Sequence, residues 1–186
     1  MKRKRANRLK RSLNHYFKKP SFIGLLLVLF FCTQYYYENH PQWQIFNNND
    51  VRVIDGDSIS LGKLSIRLQG IDAPELKQEC IDIKSNKLYQ CGEVAKDYLI
   101  RLIDQQAIEC TNEGLDRYQR QLSYCYVRDI NLNQEMVKSG NAVAYSKYDK
   151  SFIKEEKKAK LNKKGIWGSK FNYPDKWRKN KNKLQQ

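Results

Sequence analysis

The segment VRVIDGDSISLGKLSIRLQGIDAPE, residues 51–75, constrains the fold of this 186-residue chain more than any other stretch. VRVI and SISL are short β-rich runs around the turn DGD. After Gly62 and Lys63 the chain alternates, with Leu64, Ile66 and Leu68 on one face and Ser65, Arg67 and Gln69 on the other. A period of two places the first set against a core and turns Arg67 away from it. Pro74 ends the run, because it pushes Ala73 into an extended conformation and supplies no donor. If the last two strands pair through Gly62 and Lys63, Asp57 and the segment around Asp72 finish on the same rim of the sheet.

The remainder supplies helices and two further strands. EVAKDYLIRLI, residues 93–103, places Val94, Tyr98, Leu99, Leu102 and Ile103 at helical spacing. AIEC and LSYCYV read as strands flanking a long hairpin loop, TNEGLDRYQRQ, and LNQEMVKSG reads as a short helix stopped by Gly140. A highly charged helix is expected from about Phe152 to Lys164. Roughly five short strands with a helix interposed imply a small closed barrel with helices against it, in the α+β class.

The charge is uneven. Residues 1–20 hold nine Lys and Arg and no acid, residues 147–186 hold fourteen basic against four acidic residues, and the stretch between has a net charge of −4. The net charge of +15 is therefore weak evidence for nucleic-acid binding by the domain itself. The basic segment 1–20 runs into an apolar stretch, Phe22–Cys32, extended by Tyr35, Tyr36 and Tyr37. A positive flank, a short apolar core and an aromatic edge predict a transmembrane signal anchor or signal peptide over 21–37. The domain would then lie outside the cytoplasm, periplasmic or extracellular, and would be secreted if the signal is cleaved. Residues 38–49 read as a linker, 50–170 as the domain and 171–186 as a basic tail.

In an oxidising compartment Cys80, Cys91, Cys110 and Cys125 form an even set, and four cysteines permit three pairings. Proximity favours Cys80 with Cys91 and Cys110 with Cys125; buried free thiols are the alternative.

Only two histidines exist, His15 and His40, and both precede the domain. That excludes the usual zinc sites, Ser-His and Cys-His nucleophile pairs, and a histidine base. Carboxylates, arginines and a hard cation remain. Asp57 and Asp72 are the candidate metal ligands, and no EF-hand is present because the twelfth position from Asp55 is Ile66. Glu75 follows Pro74 on a stiff turn, and Arg67 and Arg120 offer guanidinium forks suited to phosphate oxygens. These groups suit in-line attack of water on a phosphodiester.

VIDGDSISL, IRLQGIDAPE, DRYQRQLSYCYV, NQEMVKSGNAVAY and KKGIWG, in that order over about residues 50–168, resemble the motif series of the staphylococcal nuclease (thermonuclease) family. PDKWR resembles a frequent tail of its extracytoplasmic members. The resemblance implies a five-stranded OB-fold β-barrel with about three α-helices, preceded here by the membrane-anchor helix. It also implies Ca²⁺-dependent endonuclease activity on DNA and RNA, single strands preferred, with 3′-phosphate products, in a monomer. By position it implies that Asp57 and Asp72 bind Ca²⁺ through carboxylates and Ala73 through its carbonyl. Glu75 would activate or orient the attacking water, Arg67 and Arg120 would hold the phosphate, and Tyr118 and Tyr145 would line the nucleotide pocket. Gln119 stands where the family has glycine, a change that matters if the position needs a positive φ. A competing expectation is a catalytically weak or inactive nucleic-acid-binding module of the same fold, tethered to the membrane; a third makes the lysine-rich tail a tether to anionic lipid or nucleic acid.

Overall fold

The computed structural model describes residues 20–39 and 43–184. It divides into two units, residues 1–41 and 42–186. In the first, α1 is a single helix, Pro20–Asn39, whose side chains from Phe22 to Tyr36 are exposed. Among the described residues no helix is long and apolar enough to cross a membrane. The anchor expected over 21–37 is therefore unsupported as a spanning helix. The physical reason is length: the apolar run Phe22–Cys32 rises ~16 Å, against ~30 Å of hydrocarbon. Most of the basic segment, with His15 and His40, lies outside the described residues.

The second unit is α+β. Its strands are β1 (Gln44–Phe46), β2 (Val51–Asp55), β3 (Ser58–Leu61), β4 (Leu64–Leu68), β5 (Ile71–Asp72), β6 (Glu79–Asp82) and β7 (Leu88–Gln90). They continue as β8 (Ile108–Cys110), β9 (Gln121–Ser123), β10 (Cys125–Val127), β11 (Ile130–Asn131), β12 (Val143–Ala144) and β13 (Ser169–Lys170). The helices are α2 (Cys91–Ile103), α3 (Leu132–Lys138), α4 (Ile153–Leu161) and α5 (Pro174–Leu184).

Instead of one closed five-stranded barrel, the strands pair in four open sheets: β2-β3-β4-β9, β1-β8-β10-β11, β12-β5 and β13-β6-β7. The hairpin of β3 and β4 closes through Gly62, whose φ of 61° is the left-handed conformation a two-residue turn requires. β9 then adds to β4 in parallel, with Ile66 opposite Gln121 and Arg67 opposite Leu122. LSYCYV, expected as one strand, is two. The chain leaves β9 at Tyr124 and joins the other sheet as β10, opposite β8. That break, and a matching one at Gln69 and Gly70 between β4 and β5, is what divides the pairing into separate sheets.

The expected linker contributes structure as well. β1 pairs with β8, and Trp43 packs on Tyr126 with ring centroids 5.3 Å apart, so the sheet starts before residue 50. The expected basic tail holds α5, which makes four α-helices among the described residues of this unit where about three were expected. In α2 the buried face is Cys91, Gly92, Ala95, Leu99 and Ile103, while Val94, expected inward, is exposed. The main core joins Ile59, Ile66, Leu68, Leu99, Ile108, Leu132 and Met136. α3 ends as expected: Ser139 caps it and Gly140 follows with φ 78°.

Both expected disulfides are present. Cys110 and Cys125 face each other across β8 and β10, and Cys80 is joined to Cys91, tying β6 to the first residue of α2. Cys32 is free and exposed.

Candidate active site

The meander brings its acids to one rim. Asp55 shapes the first turn by accepting from the Asp57 amide at 3.0 Å, which leaves Asp57 buried and aimed across the rim. The Asp57 carboxylate accepts from the Ala73 amide at 2.7 Å and pairs with Arg67. Gly56 makes this approach possible, because a Cβ there would come within 2.8 Å of the Cβ atoms of both Ala73 and Ala95. Arg67 also reaches Asp72 at 2.9 Å and the Ile71 carbonyl at 3.3 Å. One guanidinium thus binds both candidate metal ligands.

Glu75 is set by its own turn. The Gln78 amide donates to the Glu75 carbonyl at 2.6 Å, and the Glu75 amide donates to the Gln78 side chain at 3.3 Å. Gly92 fits this turn tightly, since a Cβ there would collide with the Glu75 carbonyl.

Arg120 arrives from the loop before β9, and the parallel pairing of β4 with β9 carries it to the same rim as Arg67. Asp116 fixes it there. Its carboxylate accepts from the Tyr118 and Arg120 amides at 2.8 and 2.9 Å and from Arg120 Nε at 2.8 Å. Arg120 Nη1 lies 3.4 Å from Ser58 Oγ, whose hydroxyl donates to Asp57. Gln119 does adopt a positive φ, 62°, so the conformation that suits glycine is held here by a residue with a Cβ. Gln119→Gly should therefore raise unfolding stability by about 0.5–1 kcal/mol, read as a higher urea midpoint at unchanged slope. An unchanged or lower midpoint would show that the loop carries no such strain.

Tyr118 is exposed, with the Arg120 guanidinium 5.5 Å from its ring centre. Tyr145 follows β12, whose Val143 is opposite Asp72, and its ring lies 5.0 Å from that of Tyr148. Among the described residues neither tyrosine side chain hydrogen-bonds Asp57, Asp72 or Glu75.

A family model described as staphylococcal nuclease homologue matches residues 65–169. The chain belongs to the staphylococcal nuclease family. An uncharacterized endonuclease of Haemophilus influenzae is 31% identical over 137 residues, covering 69% of this chain and 71% of its own length. A micrococcal nuclease of Shigella flexneri is 31% identical over 157 residues, or 75% of this chain and 84% of that one. A probable staphylococcal-like nuclease of Oryza sativa subsp. japonica, CAN4, is 31% identical over 134 residues, but this chain spans only 25% of its length. The chain is accordingly a hydrolase of the nuclease class.

Three residues outside the expected set shape this nuclease site. Asp116 lies inside the quoted DRYQR motif, and its position four before Arg120 was the available signal. Gln78, fully buried, links the Glu75 turn to the chain entering α5 by donating to the Asn172 carbonyl at 2.6 Å. Arg178, from the motif PDKWR, donates to both oxygens of Asp72 at 3.0 Å and to Glu75 at 2.6 Å. Helical spacing from Pro174 turns Arg178 inward, but nothing local names Asp72 and Glu75 as its partners.

The electrostatics follow from this crowding. Burial lowers the Arg67 pKa, helped by the nearby Arg120 charge and opposed by Asp72, yet a guanidinium stays charged at any ordinary pH. Arg178 is also partly desolvated, but its hydrogen bonds and charge pairing with Asp72 and Glu75 prevail and raise its pKa above the usual value. Desolvation of Asp116 is likewise outweighed, by hydrogen bonds from Arg120 and Tyr118, so its carboxyl titrates below the usual range.

The donor set fits a hard cation. Asp57 and Asp72 are buried carboxylates on one rim, with the Ala73 peptide against Asp57, and oxygen donors of this kind suit Ca²⁺. The Arg178 guanidinium resting on Asp72 shows that the rim accepts a second positive charge beside Arg67. Among the described residues no group of three or more His, Cys, Asp or Glu side chains stands ready to hold a metal, so protein carboxylates would supply part of a coordination shell that water and substrate complete.

Proposed function

We propose that this chain is a Ca²⁺-dependent endonuclease that hydrolyses phosphodiester bonds of DNA and RNA, preferring single strands and leaving 3′-phosphate ends. The observation that carries the reading is the meeting of Asp57, Asp72 and Arg67 in one ion-paired cluster, with Glu75 and Arg120 on the same rim. The nuclease names of the relatives support it.

In this reading Asp57 and Asp72 would hold Ca²⁺ through their carboxylates and Ala73 through its carbonyl. Bound there, the ion supplies Lewis acidity toward a phosphoryl oxygen. Glu75, fixed by Pro74 and Gln78, orients the attacking water and accepts its proton. Arg67 and Arg120 present forks to the phosphate oxygens, where negative charge builds as the 5′ oxygen leaves. Tyr118 and Tyr145 border the nucleotide, the exposed Tyr118 ring offering a stacking face. The chain acts as a monomer outside the cytoplasm, a location that its two disulfides favour.

The test is cleavage of single-stranded DNA by the full chain. Ca²⁺ should support cutting, excess EGTA should stop it, and the new 3′ ends should resist polymerase extension until a phosphatase removes the phosphate. Undiminished cutting in EGTA would overturn the cation assignment. Tight binding without cutting would favour the nucleic-acid-binding module instead.

A further inference from the structure

The carboxy-terminal helix is built into the site. Pro174 occupies the first turn of α5, where its missing N–H costs nothing, and it is buried. Trp167, Phe171 and Tyr173 form an aromatic cluster ahead of it, with centroids 5.2 to 6.0 Å apart, and Gln78 grips the Asn172 carbonyl. Arg178 lies four residues after Pro174, one helical turn along the same face, and so is aimed at the domain. Its three hydrogen bonds to Asp72 and Glu75 span 106 and 103 positions of sequence.

These bonds occupy the carboxylate oxygens that a divalent cation would need. Asp57, Asp72 and Glu75 bring three negative charges, and Arg67 and Arg178 answer with two positive ones. The two arginines are not held alike. The Arg67 side chain is 15% exposed, sits within β4 and also donates to a backbone carbonyl. That of Arg178 is 36% exposed on a surface helix, where solvent can reach it on release. A cation that needs an Asp72 oxygen therefore meets less resistance from Arg178 than from Arg67.

We propose that Arg178 is a positioning residue and resident counter-cation. It holds Asp72 and Glu75 while no divalent ion is bound and gives up Asp72 when one arrives, so that α5 sets the cation affinity of the site. This rests on the cation reading above. The competition has a definite sign: removing Arg178 frees Asp72 and deletes a like charge, so the ion binds more tightly.

The experiment is calorimetric titration of the full chain with Ca²⁺ alone, without substrate. Arg178→Gln should bind Ca²⁺ about tenfold more tightly than the natural chain, a difference of about 1.4 kcal/mol. Arg178→Lys, which keeps a point charge but loses the fork, should fall between them. Lys179→Gln removes the same charge one residue away on the exposed face and should leave the affinity within about twofold. Equal or weaker Ca²⁺ binding in Arg178→Gln overturns the proposal while leaving the cation reading intact. Absence of binding in both the natural chain and Arg178→Gln overturns the cation reading and the proposal together. Should the variant fail to fold, the natural chain decides: the Arg178 Nε–H resonance of ¹⁵N-labelled protein should shift on Ca²⁺ addition, and a signal that stays fixed while Ca²⁺ binds refutes displacement.

Discussion

Glu75→Gln lowers turnover on single-stranded DNA by about 10² or more, the scale of losing a positioned acid–base group. The substitution keeps the shape of a side chain whose backbone is bracketed by Gln78, and so removes the proton acceptor with little change around it. Arg120→Ala lowers turnover by a similar factor, the scale of losing a fixed charge aimed at the transition state. The two separate in the ground state. Glu75→Gln deletes a negative charge near the phosphate, so single-strand binding holds or strengthens. Arg120→Ala weakens binding as well, since its fork also meets the ground-state phosphate. Asp116 makes the Arg120 result informative, because it holds that guanidinium on the rim despite the left-handed backbone at Gln119. Steady-state kinetics with a filter-binding titration decide the matter. Unchanged turnover in both variants, with binding kept, would remove Glu75 and Arg120 from the mechanism.

Cys110→Ala with Cys125→Ala costs about 3 kcal/mol of unfolding stability, the chain-entropy value for a loop of about fifteen residues. Both sulfurs are fully buried between β8 and β10, so shortening the side chains also leaves unfilled space that adds to the loss. The closed loop carries Asp116, Tyr118 and Arg120, and opening it should reduce turnover in step with stability. Urea unfolding of the natural and doubly substituted chains measures the difference, and a change below about 1 kcal/mol would show that strand pairing alone suffices. Non-reducing peptide mapping of chain recovered from cells should find Cys80 with Cys91 and Cys110 with Cys125. Free thiols at all four positions would count against both the pairing and a location outside the cytoplasm.

Much of this was legible in residue order alone. Alternation from Leu64 to Leu68 separated Arg67 from the core, Gly62 marked the hairpin, and Pro74 ended the meander, since period and backbone restriction act within a few residues. The meander therefore foretold that Asp57 and Asp72 would share a rim, and two closely spaced cysteine pairs foretold their bonds. Other features answered to partners far along the chain. LSYCYV has one continuous strand pattern, yet it divides at Tyr124 because β4 claims its first half and β8 its second. Val94 fits a helical stripe but stays exposed, because packing decides which part of an amphipathic face is covered. Lysine-rich PDKWRKNKNKL reads locally as a solvated tail, and only its tertiary contacts, among them Gln78 on Asn172, place its arginine on Asp72 and Glu75. The sequence by itself determined the local elements and the chemistry they carry. The tertiary structure decided which distant charges meet, because an ion pair across 106 residues leaves no period or spacing to read and forms only when packing brings its two ends together.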